Sequence, residues 1–318
     1  MAARRSAPSR TLVIGESLID VVRTPDGSST RHVGGSPLNV AVGLARLDHR
    51  VSLATYFGRD EGGAAIGAHV SDAGVDLVPG SDRAEDTTVA TATLDEQGRA
   101  EYTFDIAWRV PELPERTGHL HTGSIGALLR PGGVDVLAAM GGGRRVGTVS
   151  YDPNIRPSLV RDRGATLGEV ERRVAVSDVV KASDDDLEWL AGRPLDEQGL
   201  TDWLHGWRDL GPTVLVCTRG AKGALALLPS GRTVTVPGAG VEVADTVGAG
   251  DSFMAGMLSA LLDVGLLGGP EARSRLRKAK GAAVTAAVTR GVDASARTVA
   301  RLGAHAPSRA DLGIAPLR

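Results

Sequence analysis

Three features of the 318-residue sequence predict an α/β fold, with helices on both faces of a mostly parallel central sheet and a small additional β sheet. From His119 onward, short β-branched apolar runs alternate with segments of helical periodicity, the beat of a parallel sheet with crossover helices. Before that point a hairpin pattern, Thr87 to Leu94 and Ala100 to Phe104 around Glu96-Gln97-Gly98, breaks the alternation and implies an appended sheet. Finally, polar or glycine-rich loops follow the predicted strands, where open α/β sheets gather their ligands.

In chain order, Thr11 to Gly15 reads as a first strand ending in glycine, and Leu18 to Val22 continues extended to the turn Pro25-Asp26-Gly27. From Pro37 to Leu47, Leu38, Val42, Leu44 and Ala45 recur at helical spacing behind Gly34-Gly35-Ser36, with Pro37 suited to a first helical turn. A strand over Val51 to Tyr56 and a helix over Gly62 to Ala73 follow. After the hairpin come strands at His119–Thr122, Arg145–Tyr151, Asp178–Ala182 and Thr213–Thr218, separated by helices near 131–140, 164–177 and 196–209. Two short strands, Ala224–Leu228 and Thr233–Pro237, precede the run Asp245 to Phe253, and alanine-rich helices from about Pro270 to Thr289, extending toward Arg301, close the fold. Residues 1–10 read as a disordered basic tail and 11–318 as one domain, its small sheet drawn from about 18–33 and 87–108.

Composition narrows the function. The 36 basic and 38 acidic residues leave a formal net charge of −2, which provides no field for nucleic acid or acidic membranes. No stretch is long and apolar enough to span a bilayer and no signal-peptide core follows Met1, which favours a cytoplasmic protein. The single cysteine, Cys217, lies in an apolar run and reads as a buried structural thiol. Asparagine and lysine are scarce: Asn39 and Asn154 are the only asparagines, and Lys181, Lys222, Lys278 and Lys280 the only lysines.

Gly248-Ala249-Gly250-Asp251 carries the chemistry. Two glycines around an alanine can turn the backbone with N–H groups exposed, and the apolar helix that follows adds its unpaired amides and positive dipole end. The result is an anion hole with Asp251 beside it as a base; an ordinary loop-to-helix connection is the other reading of the same residues. Walker, dinucleotide, zinc-protease and nucleophile-elbow motifs are absent. What remains fits phosphoryl transfer to a polyol, which asks for positioning, charge neutralisation and a base. Asp186 could help hold hydrated magnesium, or the run Asp184–Asp186 could be a solvated acidic helix start. Arg156 offers a guanidinium fork for phosphate. Asp20, inside Leu18-Ile19-Asp20-Val21-Val22, suits two sugar hydroxyls or is an edge-strand carboxylate. Tyr102, Phe104 and Trp108 either pack the hairpin or face a ligand.

Gly34-Gly35-Ser36-Pro37-Leu38-Asn39 and Asp245-Thr246-Val247-Gly248-Ala249-Gly250-Asp251-Ser252-Phe253 resemble the motifs of the ribokinase-like (PfkB) carbohydrate kinases, over nearly the whole chain. The resemblance implies a three-layer α/β/α fold with a β-sheet lid and ATP-dependent phosphorylation of a sugar. It makes Asp251 the base and the amides of Gly248, Ala249 and Gly250 the anion hole. It places Asp20, Gly34, Gly35, Asn39, Phe104 and Arg156 on the sugar, and Ser183, Thr218, Gly220, Lys222 and Gly223 on the nucleotide. Asp186 would serve Mg2+ through water, and Asp245 and Val247 are the first candidates for K+. Gly15-Glu16-Ser17-Leu18-Ile19-Asp20 and Asp152-Pro153-Asn154-Ile155-Arg156-Pro157 look most like bacterial fructokinases; a 2-keto-3-deoxygluconate or nucleoside kinase would need few pocket changes, and a silent sugar- or nucleotide-binding protein is the non-enzyme alternative. Ser183-x-x-Asp186 stands where the family often has Asn-x-x-Glu. Both Thr289-Arg290-Gly291 and Ala300 to Ala304 resemble the Arg-Gly segment expected near the adenine. The open apolar face of the hairpin would suit a homodimer through the lid.

Overall fold

The computed structural model describes residues 10–94, 100–106, 108–115, 117–160 and 162–317. The chain begins with β1 (Thr11–Ile14), then β2 (Leu18–Arg23), β3 (Ser29–Gly34), α1 (Ser36–Arg46), β4 (Val51–Ala54), α2 (Glu61–Asp72), β5 (Asp76–Leu77), β6 (Val89–Leu94) and β7 (Ala100–Asp105). It continues through β8 (His119–Gly123), α3 (Ser124–Leu128), α4 (Gly132–Val146), β9 (Thr148–Asp152), α5 (Arg163–Ala175), β10 (Val179–Ser183), α6 (Asp184–Ala191), α7 (Glu197–Leu210) and β11 (Val214–Thr218). A short 3-10 turn, Gly220–Lys222, leads to β12 (Ala224–Leu227), β13 (Thr233–Val236), α8 (Ala249–Asp263), α9 (Pro270–Arg277) and α10 (Gly281–Val299).

Nine strands form one sheet in the order β13-β12-β11-β10-β9-β8-β1-β4-β5, parallel from β5 to β11 and antiparallel at β12 and β13. Both faces are covered. Val13 of β1 joins a core with α1, α2, α8, α9 and α10, while its neighbours Leu12 and Ile14 join a second core with α4 to α7. This is the alternation of a strand buried on both sides. A separate sheet in the order β3-β2-β6-β7 stands beside it, as the hairpin pattern predicts. The strand order reverses between β1 and β8, so the loops after these two strands open a crevice at a topological switch point.

Some boundaries differ from the sequence reading. The strand expected from Arg145 starts at Thr148, because α4 runs on to Val146 and Gly147 closes it, its N–H donating to Gly143 O. The helix expected over 270–289 is two: Lys278 and Ala279 donate back to Arg275 and Leu276 and end α9, and α10 starts afresh at Gly281. β3, β5, α3 and α6 are additions. Of the tail expected to be disordered, residues 1–9 lie outside the described residues, and Arg10 is docked, its carbonyl accepting from Gly118 N. No helix among the described residues is long and apolar enough to cross a membrane.

Candidate active site

Asp251 occupies the first turn of α8, a helix buried along most of its length, and is itself 8% exposed. Gly248 caps the helix with φ +74, a left-handed conformation open to glycine, and a Cβ there would meet Ala304. One correction to the sequence reading concerns the amides. The N–H of Ala249 donates to Thr246 O at 3.2 Å and closes the turn. The amides of Gly250 and Asp251 remain at the open helix end, where partial positive charge gathers.

Two side chains of α1 hold the Asp251 carboxylate. Ser36 Oγ donates to Oδ1 at 2.6 Å and Asn39 Nδ2 to Oδ2 at 2.8 Å. Asn39, expected on the sugar, is thus found on Asp251. Gly35 has φ +116, and a Cβ there would strike the backbone of Glu16, so this turn into α1 excludes other residues.

Ser36 also lines a cavity of about 330 Å³, together with Glu16, Asp20, Ser124 and Arg156. It sits at the switch point between β1 and β8 and is roofed by Leu18 and Ala90 of the small sheet. Asp20 points over Gly34, its Oδ2 resting where a side chain on residue 34 would begin. Burial raises the Asp20 pKa, opposed by Arg156 and His32. Glu16 is 4% exposed; its Oε2 accepts from Gly126 N at 2.8 Å. Burial pushes its carboxyl up to about 7 against the hydrogen bonds of its own backbone, Gly126 and Ser124 and the charge of Arg156. Ser124, which lines this cavity, and Asn154, in the loop that carries its Arg156, take φ of +54 and +39, strained for non-glycine residues. Asn154 Oδ1 accepts from Arg156 Nη1 at 2.7 Å, with the carbonyls of Asn154 and Ile155 at 3.3 Å, so the guanidinium is tied to its own loop. Phe104 pairs with Ala90 in the β6–β7 ladder; its side chain, like that of Tyr102, lies outside the described residues. Trp108 is packed in the core and donates to Gly126 O at 2.6 Å.

A second cavity, about 300 Å³, lies on the other side of the α8 turn. Ala249 and Gly250 form its floor, and Thr218, Gly220 and Gly223 one side. Val292, Ser295, Ala296 and Val299 of α10 make the wall, with Val241 and Val243 opposite. This assigns the two Arg-Gly segments. Gly291 packs against Phe253 of α8, and Gly303 N donates to Asp245 Oδ2 at 2.8 Å, so neither lines the cavity. Lys222, expected on the nucleotide, is exposed and outside the lining.

Ser183 and Asp186 form a capping box on α6. Asp186 Oδ2 accepts from Ser183 N at 2.9 Å and Ser183 Oγ at 2.7 Å, and Oδ1 from Ile155 N at 2.7 Å. With three protein donors on it and 6% exposure, this carboxylate fits an outer-sphere contact to a metal rather than direct coordination. Asp245 likewise accepts from Val247 N at 3.0 Å and from Gly303 N, which ties the loop before α8 to the segment after α10. Ser252 is in a buried network with Thr298, at 2.7 Å, and Cys217 is buried, its thiol pushed up to about 12 by burial first.

Sequence reasoning missed Ser36, Glu16 and Ser124, although Gly15-Glu16 after a first strand places a charge where burial is unavoidable. It also missed the α10 wall, which the spacing 292, 295, 296, 299 marks as one helix face.

A buried carboxylate between two cavities, one polar and one apolar with an open helix end, suits group transfer between two ligands. The family described as pfkB family carbohydrate kinase matches residues 9–311, and the chain belongs to it. Among its relatives are fructokinases of Rhizobium leguminosarum bv. trifolii, 33% identical over 79% of both chains, and of Escherichia coli, 30% identical over 81% of this chain and 86% of that one. A fructokinase double mutant from Vibrio cholerae O395, solved with fructose, ADP and potassium ion, is 28% identical with a TM-score of 0.78, covering 98% of this chain and 99% of that one. Aminoimidazole riboside kinase from Salmonella enterica, solved with its riboside and an ATP analog, is 26% identical with a TM-score of 0.76 over 96% and 98%.

Proposed function

We propose that the protein transfers the γ-phosphoryl group of ATP to the primary hydroxyl of fructose, giving fructose 6-phosphate. The observation that carries this reading is the position of Asp251: Ser36 joins it to the polar cavity, and Gly250 beside it floors the apolar one. Asp251 accepts the proton of the sugar hydroxyl as its oxygen attacks phosphorus, and ADP leaves. Ser36 and Asn39 hold the carboxylate in line, each oxygen keeping a lone pair for that proton. The Gly250 and Asp251 amides meet the charge of the transferring group. The adenine lies between the α10 wall and Val241 and Val243. Mg2+, when bound, would supply charge neutralisation on the phosphates; Asp186 would help hold it through water, and the loop of Asp245 and Val247 would hold K+.

A neutral ketohexose suits the cavity better than 2-keto-3-deoxygluconate. The cavity carries two carboxyls, Asp20 and Glu16, and its one cation, Arg156, is turned onto Asn154. An acidic sugar would meet like charge.

Asp251→Asn keeps the shape and both hydrogen-bond partners in reach but removes the base. Turnover in a coupled ADP assay should fall by roughly a thousandfold or more, with nucleotide binding retained. Turnover near that of the parent would remove Asp251 from this role.

A further inference from the structure

Lys181 is one of four lysines in a chain whose other basic residues are arginine, and alone among the four it is buried. It projects from the middle of β10, opposite Val216 of β11. Its Nζ lies 2.7 Å from Oδ2 of Asp152, the last residue of β9, and the two side chains are 5% and 2% exposed. Asp152 Oδ1 is buried with no partner among the described residues. The ammonium faces the α8 turn: a Cβ on Gly250 would stand 3.2 Å from Nζ.

A buried ion pair is weak evidence of stabilisation, since apolar residues of the same volume usually do as well or better. Its position is the informative part. Arginine would bring a broad planar fork to this space, whereas lysine delivers a compact point charge. The charge stands behind the amide expected to receive the phosphoryl group, and next to the base.

Resting on the reading of Asp251 as the base, we propose that Lys181 is a positioning residue for phosphoryl transfer: its ammonium, anchored by Asp152, fixes a positive charge behind Gly250 that offsets the phosphoryl negative charge. Lys181 itself neither gains nor loses a proton during the step. The groups that face Asp251 are Ser36 and Asn39 from α1, Lys181 from β10 and Asp152 from β9, while Asp186 from α6 acts on Lys181 and Asp152. Burial pulls the Lys181 pKa down, but the carboxylates of Asp152, Asp186 and Asp251 outweigh it and raise it, so the ammonium is charged at neutral pH. Burial lifts Asp152 to about 6 against the pull of Lys181, which leaves it largely ionised there.

The test compares Lys181→Met, the double variant Lys181→Met with Asp152→Leu, Lys181→Arg and Asp251→Asn. Each is followed by kcat and KM for fructose and ATP across pH in the coupled assay, by fructose binding calorimetry and by thermal melting. The double variant removes both charges, so it carries the test where Lys181→Met alone, leaving Asp152 unpaired, fails to fold. In the double variant kcat should fall by roughly a hundredfold, with fructose affinity unchanged. Lys181→Arg, which keeps the charge, should recover part of kcat, whereas a purely structural role would show in the melting midpoint and not in this kcat rescue. A folded double variant with parental kcat, beside an inactive Asp251→Asn, overturns the role of Lys181 alone. Parental turnover in Asp251→Asn overturns both the base and this inference.

Discussion

Glu16 shows what a single carboxyl in the polar cavity, proposed above for the sugar, does to the whole chain. Burial holds its pKa at about 7 against an ordinary 4.5, so between these values the folded protein binds a proton that the unfolded chain releases. Stability is therefore highest below pH 4.5 as far as this group is concerned, and is lost as pH rises through 7. The loss amounts to about 3 kcal/mol at alkaline pH. Glu16→Gln keeps a carbonyl for Gly126 N and cannot ionise. Denaturant unfolding should show the parent losing stability from pH 5 to pH 8 by more than the variant, and the variant the more stable at pH 8. Equal pH dependence in the two proteins would exclude Glu16 as the source. The residue that weakens the fold is kept at the cavity's floor, where a fixed polar group beside Asp20 and Ser124 can meet sugar hydroxyls.

At the scale of elements, α10 is one wall of the apolar cavity proposed above for the nucleotide, and its small residues at 295 and 296 leave the space. Ala296→Phe fills it. The ATP KM should rise by roughly tenfold or more, while fructose binding measured without nucleotide is unchanged; a parental ATP KM would place the adenine elsewhere. Much of this arrangement is legible in the sequence, for identifiable reasons. Strand–helix alternation and the hairpin signal are strong local patterns, so the sheet and the small lid sheet follow from them. Gly248 to Asp251 is legible because glycine and a helix start are chemically distinctive together. The hidden parts depend on partners distant in sequence. Nothing local to Asn39 says that it bonds to a carboxylate 212 residues away rather than to a sugar. From the sequence Asp186 serves hydrated magnesium or starts an acidic helix, and only the fold puts its oxygens on Ser183 and Ile155. The helix break at 278–280 has no proline or glycine before Gly281 to announce it.

For the whole molecule, one face of the nine-stranded sheet does most of the functional work. α1 brings Ser36 and Asn39, α8 brings Asp251, and α10 brings one wall of the apolar cavity, so the relative placement of these three helices sets the proposed site. Small residues let them approach: a Cβ on Gly43 of α1 would stand 2.7 Å from Ala255 of α8, and one on Gly256 2.8 Å from Ala294 of α10. The segment after α10 then straps them together. Arg309, 7% exposed, donates to Leu47 O at the end of α1 (3.1 Å), to both oxygens of Asp263 at the end of α8 (3.2 and 2.9 Å) and to Ala315 O (2.6 Å). Asp263 also receives Arg290 from α10 at 2.6 Å, and these hydrogen bonds and charges hold its carboxyl below the ordinary range although burial, the largest influence, opposes them. Arg309→Ala leaves Asp263 with Arg290 as its remaining strong partner and frees a buried carbonyl, a loss of about 3 kcal/mol. Its melting midpoint should fall by several degrees, with fructose and ATP KM at 25 °C close to those of the parent because Arg309 touches neither cavity. A melting midpoint equal to the parent's would show that the helices hold their spacing through the small-residue contacts alone.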